Sequence, residues 1–525
     1  MEREGGDDAK MIEVMDTTLR DGEQMRDVSY TPDEKLSVAQ FVLEEVGVDR
    51  IEIASAQVSA GERAGAETVL RWANAHGVAE RVEILGYTDG EASARWIADL
   101  GGKVMNVLAK GSLRHLTTQL RKTPEQHRQD IDDTVRKARR LGVACNLYLE
   151  DWSNGMVDSR DYVLELIGGL ADTPLVRIML PDTLGVLSPG MVTEMVEAVL
   201  GRFPDRHFDF HAHNDYGLAT ANTLAAVAAG VAGVHCTVNG MGERAGNAPL
   251  DEVVVGMHDF LGRDTRVREN RLVQVSERVD VVSGRRVPPN KAISGANAFT
   301  QTAGIHADGD RKGDLYQGRL LPERFGRERS YALGKLAGKA TLEHHLDALG
   351  IELSGEQRGA VLDRVKELAD RKATITQQDL PYIVDDVLAR PHERHFVLES
   401  VVVVSAIGLR STATVKLRYT APGGSDATIH EDSAQGDGGY DAFMNAVGRI
   451  AGRIGLTLPE LIDYVVSIPP GGHSDAIVQC TITWRGDGDT LTTKGVNSDQ
   501  VLAATDATEK MLNVWIARVG GNGAP

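Results

Sequence analysis

Residues 207–216 read HFDFHAHNDY, and the end of this short run decides how the first half of the chain is expected to fold. Phe208 and Phe210 alternate with polar residues, which is typical of a β-strand with one buried face. Because side chains alternate across a strand with period two, His211 and His213 point to the same side. Two neutral imidazoles held so close together are unfavourable unless something positive lies between them.

Seven further runs of β-branched or apolar residues share this character, and helix-like segments separate them. Two of those segments open with the same signature, TPDE at 31–34 and TPEQ at 123–126, in which Thr caps the helix and Pro takes its first position. Eight strand–helix units in roughly 250 residues predict an α/β fold, a (β/α)8 TIM barrel, with an open doubly wound sheet as the alternative. The eight predicted strands are MIEVMDTT (11–18), RIEIAS (50–55), VEILGY (82–87), VMNVLA (104–109), CNLYLED (145–151), VRIMLPDT (176–183), FDFHAH (208–213) and VHCTVNG (234–240).

Polar, chemically capable residues follow nearly every predicted strand, and this favours the barrel. The first strand runs into DTTLRDGEQ, the fifth carries Tyr148 and Glu150, and the sixth ends in PDT with Thr183. The eighth runs into the Gly-rich loop NGMGERAGNAPL. A barrel gathers these strand ends on one face, whereas an open sheet spreads them along a line. We therefore expect an active site at the carboxyl-terminal face of a barrel.

The composition excludes several classes of function. The formal net charge of −19 disfavours binding to the nucleic-acid backbone, which needs a basic surface. The three cysteines are far apart and show no CxxC spacing, so neither a disulfide framework nor a zinc ribbon is predicted. The first residues form no signal peptide, and the run at 218–234, rich in Ala and Gly, favours a buried helix over a membrane span. We expect a cytoplasmic protein with no nucleic-acid partner and no membrane partner.

The second half of the chain has a different organisation. Residues 271–390 mix loops and helices and are predicted to form linker subdomains after a catalytic barrel at 1–270. Residues 391–525 begin with the linker-like PHERH and then contain a weak internal repeat, in which three strand-like runs twice precede a helix. Two tandem βββα units predict a separate α+β domain. That domain adds no obvious catalytic residue, so we expect it to bind a ligand or regulate the barrel.

A metal site is predicted where the barrel brings distant residues together. A histidine pair in a strand is more often structural than metal-binding, but barrel closure would bring Asp21 and Asn247 near His211 and His213. Two imidazoles with carboxylate and amide oxygens suit a divalent ion with open positions, such as Mn²⁺, Zn²⁺, Co²⁺ or Mg²⁺. The Gly-rich loop is a weak signal by itself, because an ordinary βα turn also explains it.

Several long motifs carry a resemblance to a known family. DTTLRDGEQ, HAHNDYGLATAN and GMGERAGNAPLDEVV, with the later GIHADGDRKGDLYQGRLLPERFGRERSYALGKLAGKA and QGDGGYDAFMNA, are similar to those of the α-isopropylmalate, homocitrate and citramalate synthases. The similarity extends over nearly the whole chain. It implies a Claisen condensation, in which acetyl-CoA loses a methyl proton, the enolate attacks the ketone of a 2-oxo acid, and the thioester is hydrolysed.

The resemblance also implies roles for individual residues. Arg20 would stabilise the developing alkoxide, Thr183 would bind the substrate carboxylate, and Glu150 would act near the acetyl methyl as general base or as its partner. His306 and Tyr316 would enter the site from a neighbouring subunit, which makes a homodimer a requirement for catalysis. A structural loop histidine is the alternative interpretation of His306.

Three further positions bear on the identity of the 2-oxo acid. The resemblance places Leu85, Leu108 and Tyr148 around the side chain of the substrate, where they would leave space for a methyl group and exclude an isopropyl group. Pyruvate is therefore favoured over 2-oxoisovalerate, and citramalate over isopropylmalate as product. The same side chains could merely pack the barrel interior. The C-terminal domain resembles the amino-acid-binding domain of the family, and isoleucine is the expected effector, with leucine expected for an isopropylmalate synthase.

Two other functions remain open from the sequence. A metal-dependent lyase could use the same barrel, although the lyase relatives lack the tandem C-terminal repeat. A non-catalytic amino-acid sensor with a decayed barrel is the other candidate. The presence of Asp21, His211, His213, Arg20 and Glu150 argues against it.

Overall fold

A computed structural model gives the fold of the chain and describes residues 11–313, 315–370, 375, 377–388, 395–424, 426–467, 478–486 and 489–520. The predicted barrel is confirmed, because eight parallel strands pair in sequential order and β1 closes the ring against β8. The predicted strands coincide with the observed ones to within a few residues. The strands are β1 (Glu13–Asp16), β2 (Arg50–Ser55), β3 (Val82–Tyr87), β4 (Val104–Lys110), β5 (Ala144–Glu150), β6 (Leu175–Asp182), β7 (Phe208–Ala212) and β8 (Gly233–Cys236).

Helices cover the outside of the barrel and bury its apolar shell. The two predicted Thr-Pro starts are confirmed, since Thr31 and Thr123 both form capping boxes, with Glu34 and Gln126 respectively. Leu272 and Val275 of α11 belong to the same hydrophobic core as the barrel strands. The helices are α1 (Pro32–Gln40), α2 (Ala60–Ala75), α3 (Ala92–Asp99), α4 (Leu113–His115), α5 (Pro124–Arg140), α6 (Trp152–Asp158), α7 (Arg160–Gly169), α8 (Pro189–Arg202), α9 (Ala219–Ala229), α10 (Leu250–Leu261) and α11 (Leu272–Ser283).

The interior of the barrel is unusually polar below its carboxyl-terminal mouth. Arg50 on β2 donates to Asp209 on β7 at 2.6 Å and to Glu83 on β3 at 2.8 Å. Above this ion cluster, Tyr148 on β5 reaches His235 on β8. Strands on opposite sides of a ring can meet only through its centre, and the period-two alternation directs these side chains there.

The chain divides into two compact units. The barrel unit comprises the residues up to Thr300 together with Gln317–Ser330, and the second unit comprises Gln301–Tyr316 together with the residues from Tyr331 onward. The predicted domain limits at residues 270 and 390 stay predictions. The short elements of the middle segment are β9 (Thr300–Gln301), α12 (Gly304–Arg311), β10 (Ser330–Tyr331), α13 (Lys339–Ala348), α14 (Gly355–Asp370) and α15 (Leu380–Leu388).

Both predicted βββα repeats are confirmed in the second unit. Each consists of a three-stranded antiparallel sheet followed by a helix, and the two repeats share one hydrophobic core that includes Phe443 and Trp484. The first four residues of the predicted linker PHERH (391–395) lie outside the described residues, as do residues 468–477. The elements are β11 (Phe396–Val404), β12 (Ser411–Thr420), β13 (Ala427–Gly436), α16 (Gly439–Arg453), β14 (Glu460–Ser467), β15 (Val478–Gly486), β16 (Asp489–Asn497) and α17 (Gln500–Gly520).

Among the described residues, no helix has both the length and the apolar character needed to cross a membrane. The Ala-rich run at 218–234 contains α9, a helix whose Ala226 and Val227 are fully buried in the barrel unit.

Candidate active site

A carboxylate and two imidazoles meet at the carboxyl-terminal mouth of the barrel. Asp21 Oδ2 lies 3.3 Å from His211 Nε2 and 4.0 Å from His213 Nε2, and the two Nε2 atoms are 3.4 Å apart. All three residues are buried, and their ligand atoms lie within 4.8 Å of one another. His211 and His213 come from the end of β7, while Asp21 follows β1 in a short turn. The geometry brings Asp21 together with a histidine pair that begins 190 positions later in the sequence.

The loop after β8 carries Asn247 to the same place. Its amide nitrogen lies 3.3 Å from His211 Nε2, and its backbone N–H donates to Gly240 O at 3.1 Å. Asp21 Oδ1 and Asn247 Oδ1 are buried without a hydrogen-bond partner among the described residues. Buried oxygens of this kind are costly unless something satisfies them, and a divalent cation would do so. The four predicted ligands therefore fit a metal ion.

Electrostatics keeps these groups in the protonation states that a metal needs. Burial and the neighbouring His211 lower the pKa of His213 to about 4, so the imidazole is neutral at neutral pH. Burial by itself would raise the pKa of Asp21, but the Arg20 guanidinium and the two histidines hold it well below its usual range. An ionised carboxylate and a neutral imidazole are ready to coordinate without losing a proton.

Arg20 occupies the floor of the site beside the predicted metal ligands. Its Nη1 donates to Asp21 at 3.0 Å and its Nε donates to Glu52 at 2.6 Å. Its Nη2 lies 3.4 Å from the Tyr148 hydroxyl. Glu52 is in turn held by Thr17 and Asn106, so the guanidinium is fixed in one orientation. A charge fixed in this way can stabilise an oxyanion without rearranging during the reaction.

A cavity of about 220 Å³ opens directly onto this cluster. Nine of the twelve predicted site residues line it. Of the other three predicted residues, Asn247 lies beside His211, and His306 and Tyr316 belong to the second unit. The lining residues are Arg20, Asp21, Gln24, Leu85, Leu108, Tyr148, Glu150, Pro181, Thr183, His211, His213 and Glu243.

One wall of the cavity is apolar. Leu85 and Tyr148 are 6% and 3% exposed, and they form a small buried cluster with Met15 and Met179, against which Leu108 packs. Leu85, Leu108 and Tyr148 line the same cavity as the metal ligands, so this cluster limits the space beside any ligand bound at the metal site.

Glu150 and Thr183 lie at the ends of the neighbouring strands β5 and β6. The Asp151 N–H donates to Thr183 Oγ1 at 2.9 Å, which leaves the threonine hydroxyl hydrogen available to a ligand. Glu150 pairs with the ammonium of Lys110. These two residues face each other in the β4–β5 register. A second cavity, of about 660 Å³, opens at the same face and is lined by residues that include Ser112, Asp151 and Leu184.

His306 and Tyr316 lie together in the second unit. Their ring centroids are 4.2 Å apart, and the Tyr316 N–H donates to Asp310 at 3.2 Å. Tyr316 is 43% exposed. Their predicted entry into the site from a neighbouring subunit stays a prediction.

The sequence reasoning missed three residues of this region. Lys110, Glu52 and His235 were not predicted, although each contacts a residue that was. Strand alternation offered a signal, because Lys110 lies two positions after Leu108 and so on the same face of β4. Glu52 and His235 gave no such signal, because their hydrogen-bond partners lie on other strands and the strand register decides which residues become partners.

Comparison with known proteins assigns a family to each part of the chain. The HMGL-like family model matches residues 11–279, the model described as homocitrate synthase post-HMGL domain-like matches 293–373, and the LeuA allosteric (dimerisation) domain matches 374–516.

Curated relatives match the chain over nearly its full length. The (R)-citramalate synthase of Methanocaldococcus jannaschii is 35% identical over 96% of this chain and 100% of its own length. The 2-isopropylmalate synthase of the same organism is 32% identical over 97% of this chain and 95% of its own. Since the first family model covers half of the chain and the relatives cover nearly all of it, this chain is an enzyme of the HMGL-like family and belongs to its branch of (R)-citramalate and 2-isopropylmalate synthases.

Proposed function

We propose that the chain is an (R)-citramalate synthase, which condenses acetyl-CoA with pyruvate and hydrolyses the thioester, on the route to isoleucine. The observation that carries the proposal is the small cavity in which a metal-binding cluster faces the apolar wall of Leu85, Leu108 and Tyr148. We expect a methyl group to fit beside that wall, and we expect an isopropyl group to require displacement of buried side chains. The citramalate synthase and the isopropylmalate synthase found as relatives have similar sequence identity to this chain. Sequence identity therefore does not distinguish between the two substrates.

The metal would be held by Asp21, His211 and His213, with Asn247 beside them. When bound, a divalent cation would chelate the carboxylate and keto oxygens of the 2-oxo acid and polarise its carbonyl.

The residues around the metal site would each have a separate role in the reaction. Arg20 would stabilise the negative charge that develops on the keto oxygen as the new carbon–carbon bond forms. The free hydroxyl hydrogen of Thr183 would bind the substrate carboxylate. Glu150, oriented by Lys110, would accept the methyl proton of acetyl-CoA or orient the group that does. The adjoining larger cavity is where we expect the body of the CoA carrier.

We also propose that the enzyme is a homodimer regulated by isoleucine. The match of residues 374–516 to an allosteric (dimerisation) domain supports dimerisation and allosteric regulation. Isoleucine as the effector follows from the proposed route to isoleucine. His306 and Tyr316 would complete the site from the second subunit. Cytoplasmic location stays a prediction from the sequence.

One assay tests the proposed reaction. The purified full-length chain is supplied with acetyl-CoA, a divalent metal and one of pyruvate, 2-oxobutyrate or 2-oxoisovalerate, and the release of CoA thiol is followed. We expect the highest kcat/KM with pyruvate. Preference for 2-oxoisovalerate would make the chain an isopropylmalate synthase. If none of the oxo acids causes release of CoA thiol, and the wild-type protein is as inactive as its His211→Ala variant, the synthase proposal is contradicted.

A further inference from the structure

A histidine outside the cavity holds one of the residues that line it. His235 lies on β8 and is 1% exposed. The Tyr148 hydroxyl is 2.8 Å from its Nδ1, and Asp209 Oδ2 is 3.2 Å from its Nε2. Tyr148, in turn, forms part of the cavity wall. The imidazole therefore links a wall residue of the cavity to a carboxylate deep in the barrel.

The hydrogen bonds fix the direction of this link. Asp209 accepts a hydrogen bond from Arg50 at 2.6 Å, and a carboxylate paired with a guanidinium is an acceptor toward His235 as well. His235 must then carry its hydrogen on Nε2, which leaves Nδ1 as the acceptor for the Tyr148 hydroxyl. Tyr148 consequently donates inward to His235 and does not donate into the cavity.

The packing around Tyr148 explains why such an anchor is needed. Two of its apolar neighbours are Met15 and Met179. Methionine side chains are flexible and adapt to the shape of their surroundings, so they do not fix the ring by packing alone. His235 is held more rigidly, because Asp209 also receives a hydrogen bond from the partly buried His207 at 2.8 Å.

We infer that His235 is a positioning residue that fixes the Tyr148 ring as a rigid wall, and that it thereby sets the size limit of the 2-oxo acid. The inference rests on the proposed synthase function and deepens it. Loss of the anchor would let the ring move toward the interior and admit larger side chains, while the metal ligands and Arg20 stay in place. The changes in kcat/KM and in the Kd of the oxo acid should therefore depend on the size of its side chain. A general weakening of the structure would not produce this dependence on size.

The test compares variants of the full-length enzyme. His235→Leu keeps a similar volume and removes the acceptor, His235→Asn keeps an acceptor near the position of Nδ1, and Tyr148→Phe removes the donor. His127→Leu is the matched control, because His127 is also fully buried in the barrel but bonds the Lys110 N–H. For each variant, kcat/KM is measured with pyruvate and with 2-oxobutyrate. The Kd of both acids for the Mn²⁺-loaded protein is measured by calorimetry without acetyl-CoA.

We expect His235→Leu and Tyr148→Phe each to raise the ratio of 2-oxobutyrate to pyruvate kcat/KM about tenfold, the scale of one added methylene in a pocket. The double variant should show no more than the larger single effect, since both changes break the same link. His235→Asn and His127→Leu should keep the wild-type ratio. The Kd ratio should follow the same pattern.

Two results would overturn the inference: an unchanged ratio in Tyr148→Phe, or effects that multiply in the double variant. If circular dichroism shows that His235→Leu is not folded, the ratios measured for Tyr148→Phe and His235→Asn still test the inference. Failure of the proposed function looks different, because then the wild-type enzyme itself releases no CoA, while the oxo-acid Kd values still report whether the wall has moved.

Discussion

At the scale of single residues, the metal site depends on how closely one backbone segment approaches Asn247. Gly242 has a positive φ of 156°, and a Cβ atom built on it would overlap Asn247 Oδ1. Gly246, with φ 88°, is equally confined, since its Cβ would overlap Gly240 O. From the sequence, these glycines were equally compatible with an ordinary βα turn. The structure gives the physical reason for them, which is space for the amide that faces the histidines.

Replacing Gly242 by Ala should weaken metal binding. The added methyl group must displace the Asn247 side chain, and supporting contacts of metal sites typically contribute about 10- to 100-fold in affinity. We expect the Kd for Mn²⁺, measured by calorimetry on metal-free protein, to rise at least about tenfold.

Gly190→Ala provides the matched control for this change. Gly190 lies at the start of α8, and a Cβ atom there meets no heavy atom within 4 Å. The Kd of the Gly190→Ala variant for Mn²⁺ should equal that of the wild type. Equal affinity in Gly242→Ala and Gly190→Ala would show that Asn247 does not support the ion.

At the scale of secondary-structure elements, a buried lysine ties the loop of the active site to the barrel wall. Lys35 of α1 is 1% exposed, and its ammonium donates to Leu19 O at 3.2 Å and to Ile53 O at 3.0 Å. It also pairs with Glu62 at 2.8 Å and with Glu23 at 2.7 Å. Leu19 and Glu23 flank Arg20 and Asp21, so α1 holds the turn that carries both.

Lys35→Met should destabilise the barrel and loosen this turn. The change keeps the length of the side chain but leaves two carboxylates and two carbonyl oxygens without their partner, a loss of about 3 kcal/mol for a buried ion pair. We expect a lower midpoint of urea unfolding, followed by tryptophan fluorescence. Lys103→Met, at an exposed lysine beside β4, is the control and should leave the midpoint unchanged. An equal midpoint in both variants would contradict the role assigned to Lys35.

The elements also show what the sequence could and could not predict. Period-two alternation, Thr-Pro helix starts and the count of strand–helix units gave the barrel, because these signals are local. The histidine pair and the expected barrel closure predicted Asp21, His211 and His213 as a cluster, and the fold brings them together. The partners Lys110, Glu52 and His235 were missed, because a side-chain contact between different strands depends on strand register and barrel closure, which no single strand encodes.

At the scale of the whole molecule, the barrel and the two βββα repeats are built on separate hydrophobic cores. The barrel core runs from Ile12 to Phe325, whereas the two βββα repeats bury their own core between Phe396 and Ile516. A third, smaller core lies between Leu333 and Leu388. None of the described residues of the repeat domain lines the cavity, so an effector bound there would act by favouring one arrangement of the molecule over another.

Removing residues 395–525 should therefore abolish inhibition by isoleucine. The truncated chain keeps the barrel core and the small middle core, and the excised piece keeps a complete core of its own. Two measurements check this: the inhibition by isoleucine of CoA release from the truncated chain, and the binding of isoleucine to the isolated 395–525 fragment by calorimetry. We expect no inhibition in the first and saturable binding in the second, with leucine as the comparison ligand. Isoleucine inhibition that survives truncation would place the effector site on the barrel or the middle segment, and a fragment that binds leucine in preference would favour the isopropylmalate synthase alternative.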